Sequence, residues 1–566
     1  MLQTKVYGSL IEVSPTNCPQ SNELEKITLL KNEPFSFQTV YKLIDDEKDF
    51  LPIYVKIKSD LNISYYYESC VPVMHTAIPN LNEKREIGLY PDVLMPKAVN
   101  PDLTYIEAPY NERYIEKGED LILLAYNDSW QGLWFCINED GKTEKSGEHT
   151  LEIEFHNSLN GELLVSHKIC IEVLDSSLPA QKLYYTNWFH YDCLADYHKA
   201  ELFSDEYFCI LSDYLKKASR NGMNMLLLPA FTPPLDTPKN SERMTVQLVG
   251  VKYENKKYYF DFSLMKKFID ICRKSGIKYF EHSHLFTQWG AEAAPKIMGQ
   301  VNGKEKMLFG WHTDANSPKY KSFLRAYLTE LRKFFESEKL VGKVLFHVSD
   351  EPDQKVKDNY LSALNTVEDL FQDYIHSDAL WDYKFFEEGI VKSPIVGTSS
   401  IAQFLNKCNN LWAYYTGGDL KENTSNRILV TSRSRNRILG IELYYYGIKG
   451  FLHWGYNYYY GILSQGTYDP KFNPCGYAGK GGASYFVYPS NDGTALQSIR
   501  QKVFAEGLLD IRSLEKLEKL TNKDTCKALI EKYFGVPDFT TTTASPEVFA
   551  KFKDELNLKI KEAISK

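Results

Sequence analysis

The stretch Lys343–Asp353, with the sequence KVLFHVSDEPD, decides the fold expected for this 566-residue chain. Its apolar half predicts a strand buried on both faces, as in parallel sheets. Pro352 has no backbone N–H and favours an extended residue before it, so the strand should end here. Asp350 and Glu351 therefore follow a buried parallel strand, where α/β barrels and open α/β sheets place their chemistry. A solvated loop that begins with an Asp helix cap would also fit this pattern.

The bulk composition is ordinary for a globular protein, with 43% hydrophobic and 25% charged residues. The length suggests roughly two to four domains. A net charge of −8 and the lack of Lys/Arg-rich runs argue against a nucleic-acid partner. No apolar run approaches the length of a membrane span. The 40 Tyr and 8 Trp join flat apolar faces to polar tips, which suits sugar ligands, although most of them must fill cores.

The N-terminus and the cysteines together predict a cellular compartment. The segment MLQTKVYGSLIEVSP has no basic region followed by an apolar stretch and a cleavage site, so no signal peptide is expected. Ten cysteines are scattered from Cys18 to Cys526 without metal-finger spacing, and they are expected to be reduced. We therefore expect a cytoplasmic protein.

Residues 1–178 predict an antiparallel β-sandwich. Apolar and polar positions alternate in short runs such as Gly132–Ile137 and Thr150–Phe155, and turn residues such as Gly141 separate them. The segment Asp175–Gln181 is expected to be a short linker. The chain as a whole is thus expected to be a multi-domain protein of the α/β plus β class.

Residues 179–517 alternate strand and helix patterns, which predicts a catalytic (β/α)₈ barrel. The eight expected strands are Lys182–Trp188, Asn224–Pro229, Ile277–His282, Lys343–Ser349, Pro394–Thr398, Asn410–Tyr415, Arg427–Thr431 and Gly450–Gly455. The expected helices are Asp205–Asn221, Ser263–Ser275, Tyr320–Glu338, Gln354–Ile375 and Arg435–Tyr446, with Ala495–Leu517 as the closing helix. Residues 518–566 predict a short helical C-terminal extension.

The carboxyl ends of these strands carry several aromatic, histidine and amide side chains that should converge on one face of the barrel. Such a set is poorly suited to phosphate and well suited to carbohydrate, and no glycine-rich phosphate loop is visible. The candidate substrate-binding residues are Trp454, Tyr415, Tyr414, Asn457, His347, Asn187, Trp188, His282 and Tyr488.

A metal site is another possible interpretation of the histidines near the third expected strand. His282 and His284, together with His312 and Asp314, could supply nitrogen and oxygen ligands. No carboxylate spacing completes a recognisable metal motif, so neither a metal nor another cofactor is expected.

A second carboxylate opposite Glu351 is hard to find, although glycoside cleavage ordinarily needs two that face each other across the bond. The expected seventh strand ends in Ser432 and Arg433, and Glu442 falls in a helical pattern. Asp419, after the expected sixth strand, is the near rival. A 2-acetamido group of the substrate could replace the protein nucleophile, because its carbonyl oxygen can attack the anomeric carbon. The enzyme would then need one acid/base and a neighbouring carboxylate to hold the acetamido N–H.

The chain resembles glycoside hydrolase family 123 in two places. One is HVSDEPD at His347–Asp353, and the other runs from NRILGIELYYYGIKGFLHWGYN at Asn436–Asn457 to SIRQKVFAEGLLD at Ser498–Asp510. The resemblance implies a β-N-acetylgalactosaminidase with an N-terminal β-sandwich and a (β/α)₈ barrel. Its implied substrates are glycosphingolipid oligosaccharides that end in β-linked N-acetylgalactosamine.

The same resemblance implies roles for individual residues. Glu351 would be the general acid/base, and Asp350 would stabilise the acetamido nitrogen. Trp454 would form the floor of the sugar subsite, and Tyr415, or alternatively Tyr414, would bind the acetamido oxygen.

Two other functions stay open at this point. One is a two-carboxylate retaining glycosidase with Glu351 as acid/base and Asp419 as nucleophile. The other is a non-catalytic carbohydrate-binding protein on a barrel scaffold, against which the carboxylate pair counts.

Overall fold

The computed structural model of the protein describes residues 1–76, 86–96, 122–371, 373–418, 420 and 423–565. They form two mostly antiparallel N-terminal sheets, a parallel sheet that curls on itself, a small four-stranded sheet and a set of helices. Asp419, the alternative nucleophile, lies outside the described residues. Within the described ranges, no helix is long and apolar enough to cross a membrane.

The two N-terminal sheets face each other across a shared core. In spatial order the described strands of the first are Leu2–Gly8, Phe35–Leu43, Gln131–Ile137, Ile63–Val73, Gly88–Pro96, Ala495–Ser498 and Tyr488–Pro489. Those of the second are Lys26–Leu30, Leu163–Leu174, Gly147–Asn157, Phe50–Lys58 and Ile122–Tyr126. Side chains from both sheets fill one apolar cluster, in which Phe37 stacks on Phe135 with ring centroids 5.0 Å apart.

The first N-terminal sheet recruits a strand from the far end of the chain. Gln497 and Ser498 pair with Leu94 and Val93, so Ala495–Ser498 is a strand where the closing helix was expected to begin. The helix starts only at Ile499, because Ser498 caps it by accepting a hydrogen bond from the Gln501 N–H at 3.0 Å.

Nine of the described strands form the curled parallel sheet. In chain order they are Tyr184–Asn187, Met225–Leu228, Tyr279–His282, Val344–Phe346, Ile375–His376, Ala379–Leu380, Ile395–Gly397, Trp412–Tyr414 and Gly450–His453. Tyr184–Asn187 pairs with both Met225–Leu228 and Gly450–His453. The two edge strands of the sheet, Ile375–His376 and Ala379–Leu380, are separated in the chain by only two residues. The sheet therefore curls so that its two edge strands come near each other, and the carboxyl ends of its strands lie together.

Helices and two hairpins surround this sheet. The described α-helices are Tyr191–His198, Asp205–Arg220, Ser263–Lys274, Pro318–Ser337, Lys357–Val367, Tyr383–Glu387, Arg433–Tyr446, Ile499–Leu520, Lys523–Phe534 and Pro546–Ile564. The hairpins pair into the small sheet, whose strands are Gly250–Glu254, Lys257–Asp261, Ile297–Val301 and Lys304–Phe309. These hairpins lengthen the connections after Met225–Leu228 and Tyr279–His282, beside the site described below.

Two predictions for this part of the chain, one strand and one helix, are wrong. Arg427–Thr431 is not a strand, and the expected helix Gln354–Ile375 gives way to strand pairing at Ile375. The strand pair Ile375–Leu380 was missed because Ser377 and Asp378 interrupt its apolar pattern. Both polar residues are nevertheless buried, and Asp378 accepts a hydrogen bond from the Val348 N–H at 2.9 Å.

Candidate active site

A cavity of about 320 Å³ opens where the carboxyl ends of the parallel strands meet. Its described lining includes Asp350, Glu351, Trp188, Tyr414, Leu452 and Trp454. Five of these six were expected at the site, and they come from four separate strand ends. Carboxylates, aromatic rings and aliphatic surface therefore share one concave pocket, which is the usual make-up of a small-molecule site.

The backbone at Glu351 is strained and held in place. Its φ of 45° is left-handed, which few residues other than glycine adopt, so the extended conformation expected before Pro352 is wrong. The Glu351 N–H donates to the Ala379 carbonyl at 3.0 Å, and the Asp350 carbonyl accepts from the Trp289 N–H at 2.8 Å. The neighbouring strand ends thus fix the turn that carries both carboxylates into the cavity.

A buried charge network lies beneath this turn. His347 Nε2 is 2.9 Å from Glu281 Oε2, and its Nδ1 is 3.6 Å from Asp378 Oδ1. Burial alone would lower the pKa of His347, but the Asp378 and Glu281 carboxylates raise it to about 9. Burial would likewise raise the pKa of Asp378, but His347 and His376 lower it. The network therefore places a cationic imidazolium between two carboxylates, close to Asp350.

The two carboxyl groups of the turn are electrostatically coupled. Burial, followed by the adjacent Glu351, raises the pKa of Asp350 well above its ordinary range, and the charge of His347 opposes that rise. Two neighbouring carboxylates that resist joint ionisation are typical of acid/base sites. The site can therefore hold one proton for transfer while offering a second carboxylate to a cationic centre.

Tyr414 and Tyr415 point in opposite directions. The Tyr414 hydroxyl lines the cavity and donates to Glu351 Oε1 at 2.5 Å. Tyr415 does not line the cavity, because successive side chains alternate between the two faces of a strand. Its ring packs on Phe451 and His453, with centroids 5.0 and 5.3 Å away. Tyr415, expected to bind an acetamido group, is therefore misplaced by the sequence-based prediction, and the alternative residue, Tyr414, is the one that lines the cavity.

Three other expected binding residues are buried in the strands and do not line the cavity. His282 faces the helix layer, where its Nε2 bonds the Tyr327 hydroxyl at 2.7 Å. Asn187 lies inside the sheet, and His347 lies beneath the turn, in the charge network. In these buried positions none of the three side chains reaches the cavity.

Asn457 and Tyr488 also serve the fold instead of lining the cavity. The Asn457 amide accepts from the His190 N–H at 2.9 Å and donates to the His190 carbonyl at 3.1 Å, so both ends are used. Tyr488 donates its hydroxyl to Asp92 at 2.6 Å, in the first N-terminal sheet. Both side chains therefore bond to the protein outside the cavity.

Several residues at the site were missed from the sequence. Glu281 accepts from the Trp188 indole N–H at 2.9 Å and thereby orients a ring that lines the cavity. A carboxylate inside the apolar run Tyr279–His282 was the available signal for it. Asp236, Gln288 and Trp289 also line the cavity, but they lie in loops that carry no periodic pattern.

The histidines considered as metal ligands make other contacts in the structure. Among the described residues, no group of three or more His, Cys, Asp or Glu side chains is arranged to hold a metal ion. His282 is committed to Tyr327 and the Ser283 carbonyl, and His284 stacks on His347 with centroids 4.6 Å apart.

Comparisons with known proteins agree with a carbohydrate site. A family profile described as "Glycoside hydrolase 123, catalytic domain" matches residues 188–517. A family 123 glycoside hydrolase from Clostridium perfringens, whose structural analysis concerned glycolipid glycan hydrolysis, aligns with a TM-score of 0.69 and 14% identity over 100% of this chain and 98% of its own. A β-glucuronidase from Parabacteroides merdae aligns with a TM-score of 0.30 and 10% identity, over 86% and 51%. No curated protein matches. Because the profile spans more than half of the chain, this protein belongs to glycoside hydrolase family 123.

Proposed function

We propose that this protein is an exo-acting β-N-acetylgalactosaminidase. It removes terminal β-linked N-acetylgalactosamine from glycosphingolipid-type oligosaccharides with retention of configuration, and the substrate's own acetamido group is the nucleophile. Membership of family 123 and the likeness to the C. perfringens enzyme support glycosidase chemistry. We further propose that Ile375–Leu380 acts as one interrupted strand, which makes the parallel sheet a (β/α)₈ barrel beside an N-terminal β-sandwich.

The observation that carries the proposal is that Asp350 and Glu351 are adjacent on one strand end. Two such residues leave no room for a sugar between them, whereas a two-carboxylate retaining enzyme places its pair about 5–5.5 Å apart across the bond. Asp236 is the remaining carboxylate in the described lining of the cavity. Its Oδ2 already accepts from the Tyr458 hydroxyl and the Ser464 N–H, so it is poorly placed to attack.

In the first step the acetamido carbonyl oxygen bonds to the anomeric carbon while the bond to the leaving oxygen breaks. Glu351 gives its proton to that oxygen, and Tyr414 orients the acid through its hydrogen bond. The proton that burial and the neighbouring Glu351 favour on Asp350 passes to Glu351 when the acetamido N–H of the substrate reaches Asp350. Asp350 then accepts this N–H as a carboxylate and stabilises the positive charge of the oxazolinium ion. In the second step Glu351 takes a proton from water, whose oxygen attacks the anomeric carbon and reopens the ring. Two inversions give net retention.

The glycone binds at the bottom of the cavity in this proposal. Trp188, Leu452 and Trp454 offer apolar surface there, and the Glu281 hydrogen bond locks the Trp188 ring. Preorganised apolar walls hold the sugar close to the acid, so less ordering is needed at the transition state.

The nature of the nucleophile is tested by changing the substrate. We expect aryl β-N-acetylgalactosaminides to be hydrolysed and the matching β-galactoside, which lacks the acetamido group, to be inert at saturating concentration. Stepwise fluorination of the N-acetyl methyl group should lower kcat steeply, because fluorine weakens the attacking oxygen.

Each alternative has its own outcome in this series. A flat response to fluorine, together with loss of activity in Asp419→Asn, would favour a protein nucleophile at Asp419. No turnover of any β-N-acetylgalactosaminide, β-N-acetylglucosaminide or β-galactoside would favour the non-catalytic binding protein.

A further inference from the structure

The cavity has a buried bottom and an apolar mouth. Trp188 and Leu452, at the bottom, are 3% and 1% exposed, whereas Trp289 and Ile462 are 52% and 51% exposed although both also line the cavity. The volume of about 320 Å³ is at the low end for ligand pockets. If a terminal sugar fills the bottom, the next sugar of the substrate must therefore lie against the mouth.

Trp289 is held firmly in spite of its exposure. Its N–H donates to the Asp350 carbonyl at 2.8 Å, and the following Gly290 and Ala291 N–H groups donate to Ser349 Oγ at 3.3 and 3.1 Å. Its φ of 59° is left-handed, a conformation that a bulky residue keeps only where its surroundings impose it. The backbone that carries the indole is thus fixed beside the catalytic turn.

Asp236 bonds both the loop that carries Trp289 and the segment that carries Ile462. Its N–H donates to the side-chain oxygen of Gln288, next to Trp289, at 2.9 Å. Its carbonyl accepts from Ser464 Oγ at 2.7 Å, and its carboxylate accepts from the Ser464 N–H at 3.2 Å. Ile462 lies two residues before Ser464, so the Asp236 carboxylate holds the segment that carries Ile462, whereas its bond to Gln288 uses the backbone N–H.

We propose that Trp289 and Ile462 form the subsite for the leaving-group saccharide, whose pyranose ring lays its apolar face on the indole. Asp236 positions the Ile462 side of this subsite through the bond from the Ser464 N–H to its carboxylate. This inference rests on the proposed function. Glu351 must protonate the oxygen that joins the two sugars, and Trp289 is hydrogen-bonded to the residue before Glu351. An aromatic face that is already ordered binds without the entropy cost of ordering a loop.

The test compares two substrates in each variant. One is a β-N-acetylgalactosaminyl-galactose disaccharide, and the other is β-N-acetylgalactosaminyl fluoride, which has no ring beyond the scissile bond. In Trp289→Ala the ratio of kcat/KM for the disaccharide to that for the fluoride should fall about tenfold. Trp289→Phe, which keeps an aromatic face, should recover most of that loss.

Trp381→Ala is the matched control. Trp381 is 50% exposed and follows the strand Ala379–Leu380, but it does not line the cavity. Its replacement should leave the ratio at the wild-type value. A wild-type ratio in Trp289→Ala, or an equal fall for both substrates, overturns the subsite. If the wild-type protein cleaves neither substrate, the proposed function itself fails, which is a separate result.

The role of Asp236 has its own readout. Asp236→Ala should lower the same ratio, mainly through KM for the disaccharide, and its effect should not add to that of Trp289→Ala, because both act on one subsite. Additive effects, or an equal fall in kcat for both substrates, would show that Asp236 acts elsewhere.

Discussion

Glu351 is the residue on which the proposed chemistry depends, and its surroundings suit proton transfer. Its strained backbone is imposed by the Ala379 carbonyl, and its carboxyl has one hydroxyl neighbour, Tyr414. An acid that is fixed by one hydrogen bond keeps its other oxygen free to meet the glycosidic oxygen.

We expect Glu351→Gln to lose about 10²–10⁴-fold in kcat on natural oligosaccharides, whose leaving groups need a proton. The loss should be much smaller on an aryl glycoside with a strongly activated leaving group, which departs unaided. Steady-state kinetics on both substrates provide the check, and equal losses would remove Glu351 from the role of acid.

Tyr414→Phe and Tyr415→Phe make a matched pair. Tyr414→Phe removes a hydrogen bond to the acid and should lower kcat about tenfold. Tyr415→Phe removes a buried hydroxyl that has no hydrogen-bond partner among the described residues, so activity and stability should stay close to wild type. The reverse order of effects would restore Tyr415 as the acetamido ligand.

At the scale of elements, the network of Glu281, His347 and Asp378 joins three neighbouring strand ends. Asp378 lies between the strands Ile375–His376 and Ala379–Leu380, so this interruption of the strand provides the carboxylate that pairs with His347. The ion pairs are fully buried, and they hold the strand that carries the catalytic turn.

This network predicts a pH dependence of stability. The folded pKa of His347, about 9, lies above the ordinary value of about 6.5. Its contribution is therefore complete below about pH 6.5 and is lost as the pH rises through about 9. Urea unfolding at about pH 6 and pH 9.5 should show the gap in unfolding free energy between wild type and His347→Gln shrinking at the higher pH. A constant gap would contradict this.

Some features of these elements could be predicted from the sequence, and others depend on contacts between distant segments. The turn at Asp350 and Glu351 could be predicted, because an apolar run, two carboxylates and Pro352 combine local signals. The left-handed backbone of Glu351 could not, since it depends on the contact with Ala379. The direction of Tyr414 against Tyr415 could not, since it depends on the register of a three-residue strand. Asp378 was hidden in an interrupted strand, and Trp289 in a loop whose conformation is set by contacts with Ser349 and Asp350.

At the scale of the whole molecule, a buried ion pair joins the first N-terminal sheet to the C-terminal half of the chain. The Arg500 guanidinium donates through Nε to Asp92 at 2.9 Å, and the Tyr488 hydroxyl donates to the same oxygen. Asp92 lies on the strand Gly88–Pro96, and Arg500 lies in the first turn of the helix Ile499–Leu520.

We expect Asp92→Ala to lower the unfolding free energy by about 3–5 kcal/mol, because it leaves a buried guanidinium unpaired. Glu330→Ala, which breaks an exposed pair with Lys333, should change it by less than about 1 kcal/mol. Chemical denaturation of both variants provides the comparison, and a similar small effect in each would mean that the sheet and the helix are not energetically coupled.

The strand Ala495–Ser498 has a consequence for how the protein is made on the ribosome. The edge of Gly88–Pro96 that it covers is synthesised some 400 residues earlier. Throughout that interval the nascent chain carries an open sheet edge, which is a template for pairing with other chains. Chains that terminate before Ala495 would keep this edge open, so we expect aborted translation products to aggregate, whereas chains that include Ala495–Ser498 cover the edge themselves.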